Sequence, residues 1–170
     1  VGWPAGGLPV KSAAAEGSFA LDDGRLVVEG ARVAAGESSL DVDGVLERIS
    51  PLTGTASLGA AFDGTLVEAL APGTDLSGAI RADASVEVKD GAVTGTLDTR
   101  SPALTLKGVG PWAASGRGRL QGPRFLLEAL EAKGYGGRLV AEGTLAVVAS
   151  AKTDVRVRAA RHQVGRDHDN

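Results

Sequence analysis

From Leu76 to Leu97 the chain reads LSGAIRADASVEVKDGAVTGTL, and its polarity divides by twos. Leu76, Gly78, Ile80, Ala82, Ala84, Val86 and Val88 form an uncharged set. Ser77, Ala79, Arg81, Asp83, Ser85, Glu87 and Lys89 hold nearly all the polarity. Side chains along a strand alternate between two faces, so the stretch predicts a long strand with one apolar face.

The same alternation recurs along the chain. Phe19 and Leu21 precede Leu26 and Val28, where Val27 blurs the pattern. Leu40, Val42, Gly44 and Leu46 oppose Asp41 and Asp43; Ala56, Leu58, Ala60 and Phe62 oppose Thr55, Ser57 and Gly59. Val93 and Leu97 follow, then Leu104 and Leu106 against Thr105 and Lys107. Leu139, Ala141, Gly143, Leu145 and Val147 oppose Arg138, Val140, Glu142 and Thr144. Val155 and Val157 close the series. Period two over so many segments is the pattern of half-buried strands.

Turn chemistry separates the runs. Asp-Gly occurs at 23–24, 43–44, 63–64 and 90–91, and Pro-Gly at 72–73. Asp90-Gly91 predicts a tight hairpin, whereas Asp43-Gly44 falls inside a continuing strand. AAGESS (34–39) reads as a slightly longer hairpin loop. GTLVEALAP places Leu66, Val67 and Leu70 at helical spacing and stops at proline, which predicts one short helical segment near 64–71.

FLLEALEAK (125–133) has helix-forming composition, yet a repeat assigns it to a strand. LVVEGARVAAGESSLDVDGVL (26–46) aligns without gaps on FLLEALEAKGYGGRLVAEGTL (125–145). Glu29 then falls on Glu128, Leu40 on Leu139, Asp43 on Glu142, Gly44 on Gly143 and Leu46 on Leu145. Such repetition points to an architecture extended by adding hairpins.

Composition sharpens this picture. The 170 residues include 25 glycines, against 2 Trp, 1 Tyr and 3 Phe. So few bulky side chains fill a two-sheet sandwich poorly, although one packed with Val, Leu and Ala is the alternative fold. With 18 basic and 21 acidic residues, a net of −3, nothing points to a nucleic-acid partner. The absence of cysteine excludes thiol chemistry and disulfides. A start at Val1 without any methionine fits a piece of a longer protein. No apolar run approaches the roughly 20 residues of a membrane helix.

Candidate chemistry is sparse. His162 and His168 lie in RHQVGRDHDN, a polar tail expected to be unstructured, where Asp167-His168-Asp169 makes a poor metal site. Asp41 and Asp43 could pair as carboxylates, but a solvated outer face explains them more simply. Ser115 has no histidine base within the alternating region. Gly108-x-Gly110 and Gly116-x-Gly118 lack the spacing and context of a dinucleotide loop. Arg117, Arg119 and Arg124, near Trp112 in sequence, could meet lipid headgroups or phosphates, or simply form a solvated strand face. The expectation is a non-enzyme with no catalytic residues, metal or cofactor.

The repeat pair, with GGRLVAEGTL (136–145) and SSLDVDGVL (38–46), resembles the TamB and AsmA-like group of bacterial envelope proteins. So does the order from Leu66 to Ile80: a helical Leu-x-x-x-Leu, Pro-Gly, then Leu-Ser-Gly-Ala-Ile. The resemblance covers about residues 17–148. It implies a segment of a periplasmic protein anchored in the inner membrane of a Gram-negative cell, carrying phospholipid acyl chains between inner and outer membranes. An outer-membrane β-barrel assembly protein is a further implied partner.

The expected fold is all-β: a long, twisted antiparallel meander curled into an open groove, occupying 17–160. A poorly defined segment (1–16) precedes it and the polar tail (161–170) follows. Small residues such as Gly78, Ala82, Ala84 and Gly143 would keep the groove wall thin. The expected lining is Leu40, Val42, Leu46, Leu58, Phe62, Ile80, Ala82, Val86 and Val88. Val93, Leu97, Leu104, Leu106, Leu139, Leu145 and Val147 complete it. An acyl chain on such a wall gains about 0.8 kcal/mol per buried methylene. The alternatives are a scaffold for barrel-protein assembly and a structural or adhesive β-module without cargo.

Overall fold

The structure, a computed structural model, describes residues 14–64, 66–67, 73–146 and 154–161. Its strands are β1 (Ala14–Asp22), β2 (Arg25–Ala35), β3 (Ser38–Ile49), β4 (Leu52–Asp63), β5 (Leu76–Ser77) and β6 (Ala79–Lys89). They continue with β7 (Ala92–Leu106), β8 (Val109–Gln121), β9 (Arg124–Gly134), β10 (Gly137–Ala146) and β11 (Asp154–Arg161). All belong to one antiparallel sheet in the order β1-β2-β3-β4-β6-β7-β8-β9-β10-β11, with β5 beside β7. The all-β meander is therefore as expected, and FLLEALEAK is a strand.

Tight hairpins build this order. Asp23-Gly24, Asp90-Gly91, Lys107-Gly108 and Tyr135-Gly136 each carry two successive positive φ angles. That geometry matches the right-handed twist of the flanking strands. The β2–β3 connection is shorter than AAGESS implied: Ala35 pairs with Ser38, so Gly36 and Glu37 alone make the turn. Gly36, at φ 61, supplies the left-handed first position.

The opening stretch is not one continuous strand. It breaks at Gly78, where φ is 111 and an added Cβ would lie 2.2 Å from the Ala103 carbonyl oxygen. Here the backbone bends, and the Gly64 N–H donates to the Gly78 carbonyl at 2.8 Å. Of the helix expected at 64–71, only Gly64, Leu66 and Val67 are described. Val67 N–H donates to the Gly64 carbonyl at 2.9 Å, one closed turn; the remainder lies outside the described residues.

The sheet is neither closed nor strongly curled, so the expected curl into an open groove is not seen in this segment. β1 and β11 stand at opposite ends of the strand order and do not pair with each other. No core is enclosed either: among the described residues Ala141, 3% exposed, is the one buried hydrophobic. Stability therefore rests on the backbone ladder and on side chains packing beside one another across strands.

Glycines in β4 test how tight that ladder is. A Cβ on Gly54 would fall 2.4 Å from the Val45 carbonyl oxygen, whereas one on Gly59 meets nothing nearer than 3.9 Å. Gly54→Ala is expected to cost about 1–3 kcal/mol through forced backbone shifts. Gly59→Ala should stay within about 0.5 kcal/mol of the parent. Urea denaturation followed by circular dichroism measures both.

Candidate functional site: an uncharged face

Register, followed strand by strand, shows which residues share a face. Phe19 pairs with Val28, and the row continues through Gly44, Ala56, Val86, Gly95, Leu120, Phe125 and Leu145. A second row runs Ala31, Val42, Leu58, Ala84, Leu97, Gly118, Leu127 and Gly143. A third starts with Ala15, Val33, Leu40, Ala60 and Ala82. It goes on through Thr99, Gly116, Leu130, Ala141 and Val157, reaching β11. No charged residue occurs in any of the three.

Keeping these rows apolar requires two bulges. Between Val28 and Ala31 of β2 an extra residue is inserted opposite Asp43 of β3. Between Leu127 and Leu130 of β9 the same happens opposite Glu142 of β10. The two sites coincide in the 26–46 and 125–145 repeat, so the repeat is structural as well as sequential. At the first, Gly30 takes φ 58 and its N–H donates to Asp43 Oδ1 at 2.7 Å. Ala129 replaces that glycine in the second copy without a positive φ.

Of the expected lining, Leu40, Val42, Leu46, Leu58, Phe62, Ile80, Ala82, Val86, Val88, Val93, Leu97, Leu139 and Leu145 lie on this face by register. Leu104 pairs with Trp112, on the same face as Ala114 and Gly116. Leu106 sits beyond a further irregularity at the end of β7, 49% exposed. Val147 lies outside the described residues. Trp112, Leu120, Phe125, Leu127 and Leu130 join the face without having been expected there.

Small residues do not simply leave space. A Cβ on Gly118 would run into the Phe125 ring, and one on Gly134 would meet Trp112 Cε3 at 2.8 Å. Each ring covers bare backbone of a neighbouring strand, an aromatic-over-glycine arrangement that holds register. Trp112 is further fixed by its Nε1–H donating to the Val109 carbonyl at 3.1 Å. It also meets Tyr135 edge to face at 5.6 Å. A depression of about 200 Å³ bordered by Leu26, Val28, Val42, Leu46, Val86 and Val88 remains on the apolar side. The wider depression, about 610 Å³, borders hydroxyl-bearing Thr55, Ser57, Ser85, Thr94 and Thr96 on the opposite face. Roominess on the apolar side was thus overestimated from the count of small residues.

The opposite face carries the charge. Arg25–Glu47 and Arg32–Asp41 pair at 3.6 Å, Arg48–Asp90 at 3.3 Å and Arg117–Asp98 at 2.9 Å; Arg119 pairs with Glu128. Such exposed pairs contribute little individually. Asp41 and Asp43 are thereby accounted for by an ion pair and a bulge. Arg117 and Arg119 stand opposite Trp112's side of the sheet. Among the described residues no cluster of His, Asp and Glu could hold a metal; His162 and His168 lie outside them.

Compared with known proteins, the chain matches no family model, no curated protein and no solved structure.

Glu131 gives this face a pH signature. Hydrogen bonds from Lys133, first, and Arg138 hold its carboxyl below the usual carboxylate range. A depressed folded pKa contributes stability above the unfolded value and loses it as pH falls through the folded value. Glu131→Gln should therefore be less stable than the parent near neutrality. The gap should close in acid, below the normal carboxylate range, when melting is followed across pH.

Proposed function

We propose that this chain is a segment of a longer periplasmic β-wall, belonging to a parent anchored in the inner membrane, that carries phospholipid between inner and outer membranes. The observation that carries the reading is the uncharged row from Ala15 to Val157, which crosses the whole sheet. A single layer with such a face in water needs a cover, because contiguous exposed apolar area of this extent marks a binding surface. Acyl chains suit it chemically. They need no polar clamp, and a face without steep features lets them slide.

In the parent, further hairpins and bound hydrocarbon would bend the wall into an open trough, with this face concave. The resemblance of the repeat to TamB and AsmA-like proteins supports the same reading. No catalytic group or cofactor takes part in it.

A second use attaches to the sheet edges. Among the described residues nothing pairs with the outer side of β1 or β11, and such edges can receive a strand of a folding barrel protein.

Photo-crosslinking amino acids at Ile80, Val86, Leu97 and Leu145 are expected to capture phospholipid in envelope preparations. The same groups at Arg81 and Glu87 should capture little. Equal labelling of both faces defeats the lipid-wall reading, and labelling by a protein layer alone favours the cargo-free module.

A further inference from the structure

We propose that the charged face holds a phosphate-binding cleft centred on Arg81 and Arg100, separate from the apolar wall and independent of whether that wall carries lipid. Arg81 and Arg100 are directly opposite each other on β6 and β7. Two like charges in that position destabilise an antiparallel pair. Neither arginine makes an ion pair among the described residues, although every other strand-borne arginine between Arg25 and Arg119 does.

Asp98, the nearest acid by register on β7, is already held by Arg117 at 2.9 Å. Both free guanidiniums border a cleft of about 630 Å³. Its remaining polar border is Ser101, Ser115, Lys133 and Glu131. The Ser115 hydroxyl makes no hydrogen bond within the described residues. Glu131 is neutralised in place by Lys133 at 2.9 Å and Arg138 at 2.7 Å. The cleft border thus carries Arg81, Arg100 and Lys133 against Glu131, a positive balance on a chain whose net charge is −3. Asp83, two residues from Arg81, is the nearest acid outside any ion pair among the described residues.

Its width and donors define the ligand. Guanidinium groups recognise phosphate through paired N–H donors, and two of them straddling one site suit a doubly charged phosphate oxygen set. Ser115 adds a hydroxyl donor on the adjoining strand, since it pairs with Arg100. Small residues, Ala79 and Ala113, leave the approach open. The phosphate can belong to an anionic lipid headgroup or be free in solution.

The test uses the full 170-residue chain and three variants. Arg81→Gln/Arg100→Gln removes the site, and Arg81→Lys/Arg100→Lys keeps the charge while removing the paired donors. Lys89→Gln/Lys107→Gln removes the same charge elsewhere. Binding is measured to vesicles of phosphatidylglycerol in phosphatidylcholine, to phosphatidylcholine alone, and to inorganic pyrophosphate by amide NMR shifts at Arg100 and Ser115.

The glutamine pair should lose tenfold or more in phosphate affinity, the order expected for losing charge-assisted paired donors. The lysine-for-arginine pair should lose part of it, and the Lys89/Lys107 variant little. Because the arginines repel, the glutamine pair should also melt no lower than the parent. An arginine-dependent gain on phosphatidylglycerol assigns the headgroup as source. Arginine-dependent pyrophosphate shifts without vesicle binding assign free phosphate. Absence of both, or equal losses in the arginine and lysine-site variants, overturns the proposal.

Discussion

Register is the constraint on which this structure depends. In a single sheet without a core, the faces are kept apart only by which residue pairs with which. A slip of one residue would turn the apolar rows of a strand to the charged side and its charged residues to the other. The chain resists this with two-residue turns, which leave no slack, and with rings laid over glycine at Gly118–Phe125 and Gly134–Trp112. Ion pairs across strands, such as Arg32–Asp41 and Arg117–Asp98, read the same register from the other face. Each is energetically small, but all of them are satisfied together in one alignment only.

A bulge looks like a defect in such a scheme, yet here it preserves it. The β2 residues on the apolar face are Leu26, Val28, Ala31 and Val33, spaced two, three, two; Phe125, Leu127, Leu130 and Ala132 repeat the spacing in β9. Inserting one residue locally twists the strand and resets the alternation, so that apolar positions on both sides of the insertion meet apolar partners. Recurrence of the device at matching repeat positions shows that it belongs to the hairpin unit.

The same bulge explains what was legible in the sequence. Long uninterrupted alternation, as in Ile80–Val88 and Leu40–Leu46, located strands and faces correctly because nothing within those stretches departs from period two. FLLEALEAK imitated a helix because its Leu, Glu, Ala and Lys are helix-forming residues, and the bulge between Leu127 and Leu130 interrupts its alternation. Only the repeat, which sets it over β2 ahead of the clearly alternating Leu40–Leu46, corrected the reading. Hairpins at Lys107-Gly108 and Tyr135-Gly136 were passed over since lysine and tyrosine seldom take the left-handed conformation seen there. The break at Gly78 lay inside perfect alternation and depends on a close approach to Ala103, a contact that one-dimensional pattern does not encode. Curvature was misjudged for a related reason: residue size along a strand says little about whether a ring from the next strand fills the gap.

Asymmetry between the faces then follows from how the sheet grows. Each added hairpin must present uncharged residues to one side and charged residues to the other, or the rows would be interrupted. Charge on one face costs little in water and opposes association through that side. The uncharged rows cannot be relieved in the same way, because one arginine among Leu58, Ala84 and Leu97 would sit against apolar neighbours on both flanking strands. An edge-to-edge surface that stays uncharged from β1 to β11 is therefore maintained strand after strand against its own exposure to water. That persistence is the physical feature on which the proposed lipid-wall reading rests.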